Sequence, residues 1–546
     1  MSKRRFIFEI ILKQFYTFVP KINILTKKTT SYWWDGMIKW INQIHPVLLI
    51  FLVLCVNFLS FVSLNNEEQY LLYAQQHFNP DWIPGSFIAT EFPGNRLLFE
   101  LLFGWVIHLF GFEATVFFGR MLNFFLLALP LAGLFRLLKI NNTGILLTLQ
   151  LFILLDQSFY AGEWIFGSIE SKTFAYIFVL WSLLELLKNR LVRSVLLMVV
   201  ATYFHILVGG WFAVSCFIWL LLRNVFPVFS FKKIINELPK LGLLYALPLI
   251  PLLYYLATNL LIDAPKMVDG VNLDHIYVYY RNKHHIGLFY SYEFFLKYHA
   301  WKILIAIGAF LLFFKKNYTS EAQYFSMLKN LMLIMLSIGF FFIGVSWVDK
   351  VFFDLSGGFL LKSYPFRMQS LAFLIFIILI INDWQKKASS NLRWRNGMAI
   401  AAIICLLLML VKGGQNLQKM IHYQSDEPYN EVINFIKNNS QPTDAVMIIE
   451  NKGGFLKSGG RNNQFGLDLI RRTQRDNFVH FKFVPGGTLK LYEWYQRLQL
   501  VEKIEQTPDF IHRAREDYRI DYILTPKDFQ MPLEKVFENE RYQLYR

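Results

Sequence analysis

The chemistry-bearing residues begin with the run Asn65-Asn66-Glu67-Glu68-Gln69-Tyr70. It follows an apolar segment, Pro46 to Leu64, of bilayer-spanning length. Two adjacent carboxylates at the mouth of an apolar helix are costly unless water or a cation reaches them. A low-dielectric edge raises a carboxylate pKa toward neutrality, which suits Glu67 and Glu68 to proton transfer. A plainer reading is equally open on spacing alone: the two acids start a solvated helix, where negative charge favours the dipole. Tyr70, Leu71, Ala74 and Phe78 then recur at roughly helical spacing. Such a helix lies on a membrane surface and holds the acids over a pocket below.

The elements that must position these residues follow from composition. The chain has 546 residues, 55% of them hydrophobic and 18% aromatic, with a mean hydropathy of +0.35, too apolar for an ordinary soluble enzyme of this length. Apolar runs of spanning length recur from Pro46 to about Lys412. The predicted spans are 46–64, 116–138, 143–160, 172–188, 194–208, 211–224, 239–261, 300–314, 326–347, 365–382 and 396–412. The run Leu97 to Phe110 carries Glu100 and His108 and follows Arg96, so it reads as a second surface helix. With that choice every basic cluster between spans falls on one side, as the positive-inside rule requires. The 194–208 and 211–224 pair is short and joined by Gly209-Gly210, so a broken or re-entrant hairpin is open there.

The expected fold is therefore a polytopic α-helical membrane protein of about eleven transmembrane helices. Residues 1–45 form a basic cytoplasmic arm. Residues 46–412 form the transmembrane domain, with its first external loop at 65–115. Residues 413–546 form an extracytoplasmic α/β domain. The net charge of +16 lies largely in the inter-span clusters and gives no reason to invoke nucleic acid. Cys55, Cys216 and Cys405 all fall in apolar runs, with neither a disulfide framework nor a metal set. In the C-terminal domain, helices are expected at Tyr429–Asn438 and Leu489–Lys503. Strands are expected at Ala445–Ile449, Phe478–Phe483, Tyr522–Leu524 and Tyr542–Tyr545. Gly453-Gly454 and Gly459-Gly460 match no nucleotide-binding fingerprint.

Unusual polar residues gather on the outer side: Glu91 to Arg96; Glu163, Trp164, Glu170 and Lys172; Arg281-Asn282-Lys283-His284-His285; and Asp354, Lys362, Tyr364 and Arg367. The layout resembles the GT-C superfamily of polytopic glycosyltransferases. Matching residues are Glu67-Glu68-Gln69-Tyr70, Glu91-Phe92-Pro93-Gly94-Asn95-Arg96-Leu97-Leu98, Phe110 to Ala114 with Gly119-Arg120, and the C-terminal run from Asp521 to Arg546. Phe204 to Trp211, Tyr280 to His285, Tyr364-Pro365-Phe366-Arg367 and Glu493 to Arg497 resemble an uncharacterised bacterial branch of that group. The first loop has Glu-Glu where the commoner pair contains Asp.

The resemblance implies a cytoplasmic-membrane enzyme with its N-terminus inside. It would move a sugar from a polyprenyl-phosphate donor to a glycan, lipid or protein acceptor on the outer face. Glu67 or Glu68 would then deprotonate the acceptor, or bridge Mg²⁺ or Mn²⁺. Arg96, Arg281, His284, His285 and Arg367 would bind substrate and phosphate, Arg through its planar fork and His when protonated. Plainer readings stand beside these. The histidines pack against Tyr279, Tyr280 or Tyr290, and adjacent histidines seldom share one zinc. Arg367 is an interfacial anchor. Glu163 and Glu170 pair with Lys172, and His205 is a buried structural histidine. Arg461, Arg471, Arg472 and Arg475 form a solvated basic face or touch lipid phosphates. A lipid or polysaccharide transporter, or a non-catalytic assembly protein, would share much of this layout.

Overall fold

The computed structural model describes residues 31–91, 94–225, 231–258, 265–316, 323–350, 358–424, 427–449 and 465–546. The first part of the basic arm, both glycine pairs, Asp354 and Arg461 lie outside the described residues. The membrane-domain helices are α1 (Ser31–Gln43), α2 (Pro46–Phe58), α3 (Asn65–Phe78), α4 (Leu97–Phe110), α5 (Phe112–Leu137), α6 (Asn142–Leu154), α7 (Ser171–Leu187), α8 (Leu191–Phe204), α9 (Ile206–Val225), α10 (Phe231–Leu256), α11 (Tyr292–Phe314), α12 (Gln323–Val348), α13 (Gln369–Ser390) and α14 (Leu392–Gln424). Their starts follow local chemistry. Pro46 opens α2, where a missing N–H costs nothing. The Asn141 side chain caps α6 by accepting the Gly144 N–H at 2.8 Å.

Each predicted apolar run carries a helix. Among the described residues, α5, α10 from Glu237, α11, α12 and α14 to Ile421 are long and apolar enough to cross a membrane. Others are apolar but shorter. The 13 residues of α6 span about 20 Å at ~1.5 Å per residue, against a hydrocarbon core of about 30 Å. The chain is thus a multi-pass helical membrane protein, and eleven full crossings are not what helix length gives. Helices α8 and α9 are broken, as the short runs suggested, but at His205 rather than at the glycines.

The polar C-terminal unit begins as a continuation of α14, which runs unbroken past residue 413. It contains α15 (Glu427–Asn439), α16 (Thr488–Gln506) and α17 (Ile511–Asp517) around a five-stranded sheet. The loop between α10 and α11 holds a small ribbon, β1 (Met267–Val268) and β2 (Val271–Asn272). The sheet strands are β3 (Ala445–Ile448), β4 (Asp476–Asn477), β5 (Tyr522–Pro526), β6 (Lys535–Glu538) and β7 (Tyr542–Tyr545), in the order β4-β3-β5-β7-β6. β3 runs parallel to β4 and β5, and β7 is antiparallel to β5 and β6. Strand alternation sorts the core. Val446 and Ile448 pack with Val432, Ile433 and Ile436 of α15, whereas Met447 packs on the other side with Trp494, Leu498 and Val501 of α16.

One strand expectation fails. Beyond Asn477 the stretch Phe478–Phe483 leaves the sheet in a turn, where the Lys482 N–H donates to His480 Nδ1 at 3.1 Å and the Phe483 N–H to the His480 carbonyl at 3.1 Å. The turn aims Lys482 at the membrane domain.

Candidate functional site

Helix α3 carries the acid pair, and the structure separates its two members. Glu67 is fully buried. Arg120 of α5 grips both its oxygens, with Nε donating to Oε1 at 2.7 Å and Nη2 donating to Oε2. The Ile169 N–H donates to Oε1 at 2.8 Å and the Leu64 N–H to Oε2 at 2.7 Å. Arg120 also donates to the carbonyls of Phe58, Ser60 and Val62 at 3.0, 3.1 and 3.0 Å. This network ties α2, α3, α5 and the loop before α7 into one joint. Glu67 is held from every side, as an orienting group is.

Glu68 is equally buried but differently held. Arg471 of the C-terminal domain donates from Nε to Glu68 Oε1 at 2.7 Å, and the Ser63 hydroxyl donates to Oε2. Burial pushes the Glu68 carboxyl above its ordinary range, and the Arg471 guanidinium opposes that shift. Arg471 also donates to Glu113 and lies 4.5 Å over the Phe112 ring. It is not a solvated basic residue.

A second centre lies on the side of α3 that presents Asn66 and Tyr70. Arg96, Arg281 and Arg367, the three arginines singled out in the sequence, all interact electrostatically with Tyr70. Arg96 donates to Glu100 Oε1 at 2.9 Å and stacks over Tyr70 and Tyr73 at 5.4 and 4.9 Å. Arg367 donates to Glu163 and lies 4.4 Å over Tyr364. Its Nε has no hydrogen-bond partner. Tyr364 is a non-glycine residue with φ 50°, a conformation of positive strain that the surrounding packing must hold.

Glu163 and Glu170 pair with Lys172 Nζ at 3.9 and 3.6 Å, as expected, and Lys172 stacks 3.7 Å from the Trp164 ring centre. His285 Nδ1 lies 2.8 Å from the Ala161 carbonyl and 3.5 Å from Glu163 Oε1. Burial and the Arg367 charge hold His285 well below its ordinary pKa, which opposes the protonated-donor role expected of it. His284 faces open space, with Arg281 and Lys482 close by. Among the described residues no group of three or more His, Cys, Asp and Glu side chains is arranged to hold a metal ion.

The structure thus gathers Arg96, Arg281, His284, His285 and Arg367 and sets Glu67 and Glu68 at the flank. The sequence reading missed Arg120 as the partner of Glu67, Arg471 as the partner of Glu68, and Lys482, whose ammonium donates to Asn66 Oδ1. An arginine near the outer end of an apolar run was a signal for the first. Nothing local distinguished the other two.

An apolar cavity of about 460 Å³ adjoins this centre, bounded by α8, α9 and α10 through Met198, Leu207, Trp211, Phe217, Leu241 and Tyr245. It reaches Ser363, whose carbonyl accepts the Trp211 indole N–H at 2.6 Å and whose neighbour in the chain is Tyr364.

No protein-family profile matches the chain, and no curated protein matches it. Among solved structures it is similar to ArnT from Cupriavidus metallidurans bound to undecaprenyl phosphate, at 11% identity and a TM-score of 0.37, over 94% of this chain and 97% of that one.

Proposed function

We propose that this protein is a membrane glycosyltransferase. It takes a sugar from a polyprenyl-phosphate-linked donor and passes it to an acceptor hydroxyl on the outer face of the cytoplasmic membrane. The observation that carries the reading is the junction of two opposites. Arg96 stacks on Tyr70, Arg281 and Arg367 act electrostatically on the same phenol, and an apolar cavity reaches Ser363, next to Tyr364 in the chain. A ligand that satisfies both has an anionic head and a long apolar tail. Guanidinium forks suit a phosphate and stabilise the charge it gains as the sugar departs.

In this mechanism Glu68 takes the proton of the acceptor hydroxyl. The acceptor oxygen bonds to the sugar's anomeric carbon, and the bond from that carbon to the donor phosphate breaks. The electron pair leaves on phosphate oxygen, opposite Arg281 and Arg367. Burial raises the Glu68 pKa, which strengthens it as a base. Glu67 and Glu163 act as positioning residues, one for α3 and the other for Arg367. Transfer of labelled sugar from polyprenyl-phosphate donors in membranes tests the reading. The expected result is product with wild type and a loss of about 10²-fold or more in Glu68→Gln. Flux of an unmodified lipid without covalent product would support transport instead, and full transfer by Glu68→Gln would remove the proposed base.

A further inference from the structure

Arg281 and Lys482 present an electrostatic problem. The Arg281 side chain is buried, and its Nε has no hydrogen-bond partner. Its Nη2 reaches only the Lys482 carbonyl, at 3.4 Å, and the guanidinium lies 5.1 Å over Phe481. The groups that favour its charge are the phenols of Tyr364, Tyr277, Tyr70 and Tyr73. Lys482, from the turn that leaves β4, donates to the neutral Asn66 amide. Among the described residues neither cation has a carboxylate at ion-pair distance. Two sequestered cations side by side are costly without a counter-charge, and cations held this way are paired or bind an anion.

Resting on the proposed function, we infer that Lys482 of the C-terminal domain is a ligand-binding residue: together with Arg281 it grips the phosphate of the prenyl donor, so the anion site is complete only when that domain is seated. Arg281 comes from the loop between α10 and α11 and Lys482 from the far domain, and the exposed His284 is an electrostatic neighbour of both. Asn66 holds the ammonium in place from α3. The charged and titratable groups facing Lys482 are Arg281 and His284 from the loop between α10 and α11, His480 from its own turn, and Glu170 and Lys172 at the head of α7. Burial and the Arg281 charge pull the Lys482 ammonium down to about 7. An anion in the gap reverses that pull and restores the charged form.

The test is equilibrium binding of farnesyl methyl phosphate to the full-length protein in detergent. This diester keeps one fixed negative charge, so the ligand itself does not titrate. At pH about 6, Lys482→Gln should bind about tenfold or more weakly, and Lys482→Arg should bind like wild type. Wild-type affinity should fall as pH rises from about 6 to about 9, because the empty site releases the Lys482 proton. In Lys482→Arg that slope should flatten, an effect that a merely structural lysine would not produce. Lys535→Gln removes another cation of the same domain, exposed on β6 and paired only with Glu538 of its own strand, and should bind normally. Wild-type binding by Lys482→Gln, with loss in Arg281→Gln, overturns the inference and leaves the proposed function standing. Equal weakening in Lys535→Gln also overturns it, by reducing the effect to the loss of any cation. Failure of wild type to bind the diester overturns both.

Discussion

Glu67 and Glu68 are adjacent in sequence, yet their surroundings give them different work. Glu67 shares a buried, two-pronged ion pair with Arg120. Removing one partner of such a pair strands the other charge, at about 3–5 kcal/mol. Glu67→Gln should therefore lower the thermal stability of the detergent-solubilised protein markedly. Glu68→Gln should leave stability closer to wild type and remove transfer. Measuring both properties on both variants separates positioning from chemistry. The Glu68–Arg471 pair makes a signed pH prediction. A base must be deprotonated, so transfer falls as pH drops through the raised Glu68 pKa. Arg471 lowers that pKa, so Arg471→Gln should move the acid limb of the rate profile to higher pH. An acid limb that stays in place would show that Glu68 does not set it.

At the scale of elements, the site depends on helices that approach closely. A Cβ at Gly104 of α4 would lie 2.4 Å from the Ala74 carbonyl oxygen and 2.7 Å from Phe78 Cβ. Gly104→Val should force α3 and α4 apart at a cost of about 1–3 kcal/mol. It should lower the unfolding temperature and reduce transfer, although Gly104 touches no substrate. Gly210 of α9 has open space around its Cβ position, so Gly210→Ala should stay within about 0.5 kcal/mol of wild type. The outward face of α4 leaves Leu98, Leu101, Leu102, Trp105 and Leu109 exposed. That apolar stripe suits a helix lying along lipid, as its charged inner residues suggested. Between α8 and α9, His205 accepts the Val208 N–H on Nδ1 at 3.4 Å and so caps the new helix, close to the structural role the sequence favoured for it.

At the scale of the molecule, the C-terminal domain is clamped over the loop between α3 and α4. Asp476 accepts from the Ser86 hydroxyl and from the Phe87 N–H at 2.9 Å, and Lys490 pairs with Glu91 at 3.2 Å. Arg471 and Lys482 reach α3 from the same domain. Asp476→Ala removes one clamp without touching the proposed chemistry. It should speed amide exchange in residues 86–91 and weaken donor binding in step. Faster exchange with unchanged donor binding would show that seating the domain is not needed for the site. Arg475 shows why the basic residues of this domain resist reading in isolation. It reaches the carbonyls of Lys437 and Ser440 at 3.0 and 2.6 Å and closes the end of α15 rather than meeting solvent.

Sequence periodicity determined where the helices lie, because apolar runs are set by local composition. It also determined the α/β character of the C-terminal domain, whose buried strands alternate faces residue by residue. The unusual charges Arg96, Arg281, His284, His285 and Arg367 were legible because ionic groups beside lipid are costly without a use. Tertiary structure alone decided their partners. Glu67 meets Arg120, and Glu68 meets Arg471 from the opposite end of the chain. The stretch Phe478–Phe483 alternates like a strand, yet it turns away and delivers Lys482. Pairings across hundreds of residues leave no local pattern, since a charge in sequence specifies a need for a partner and only the packed chain specifies which one.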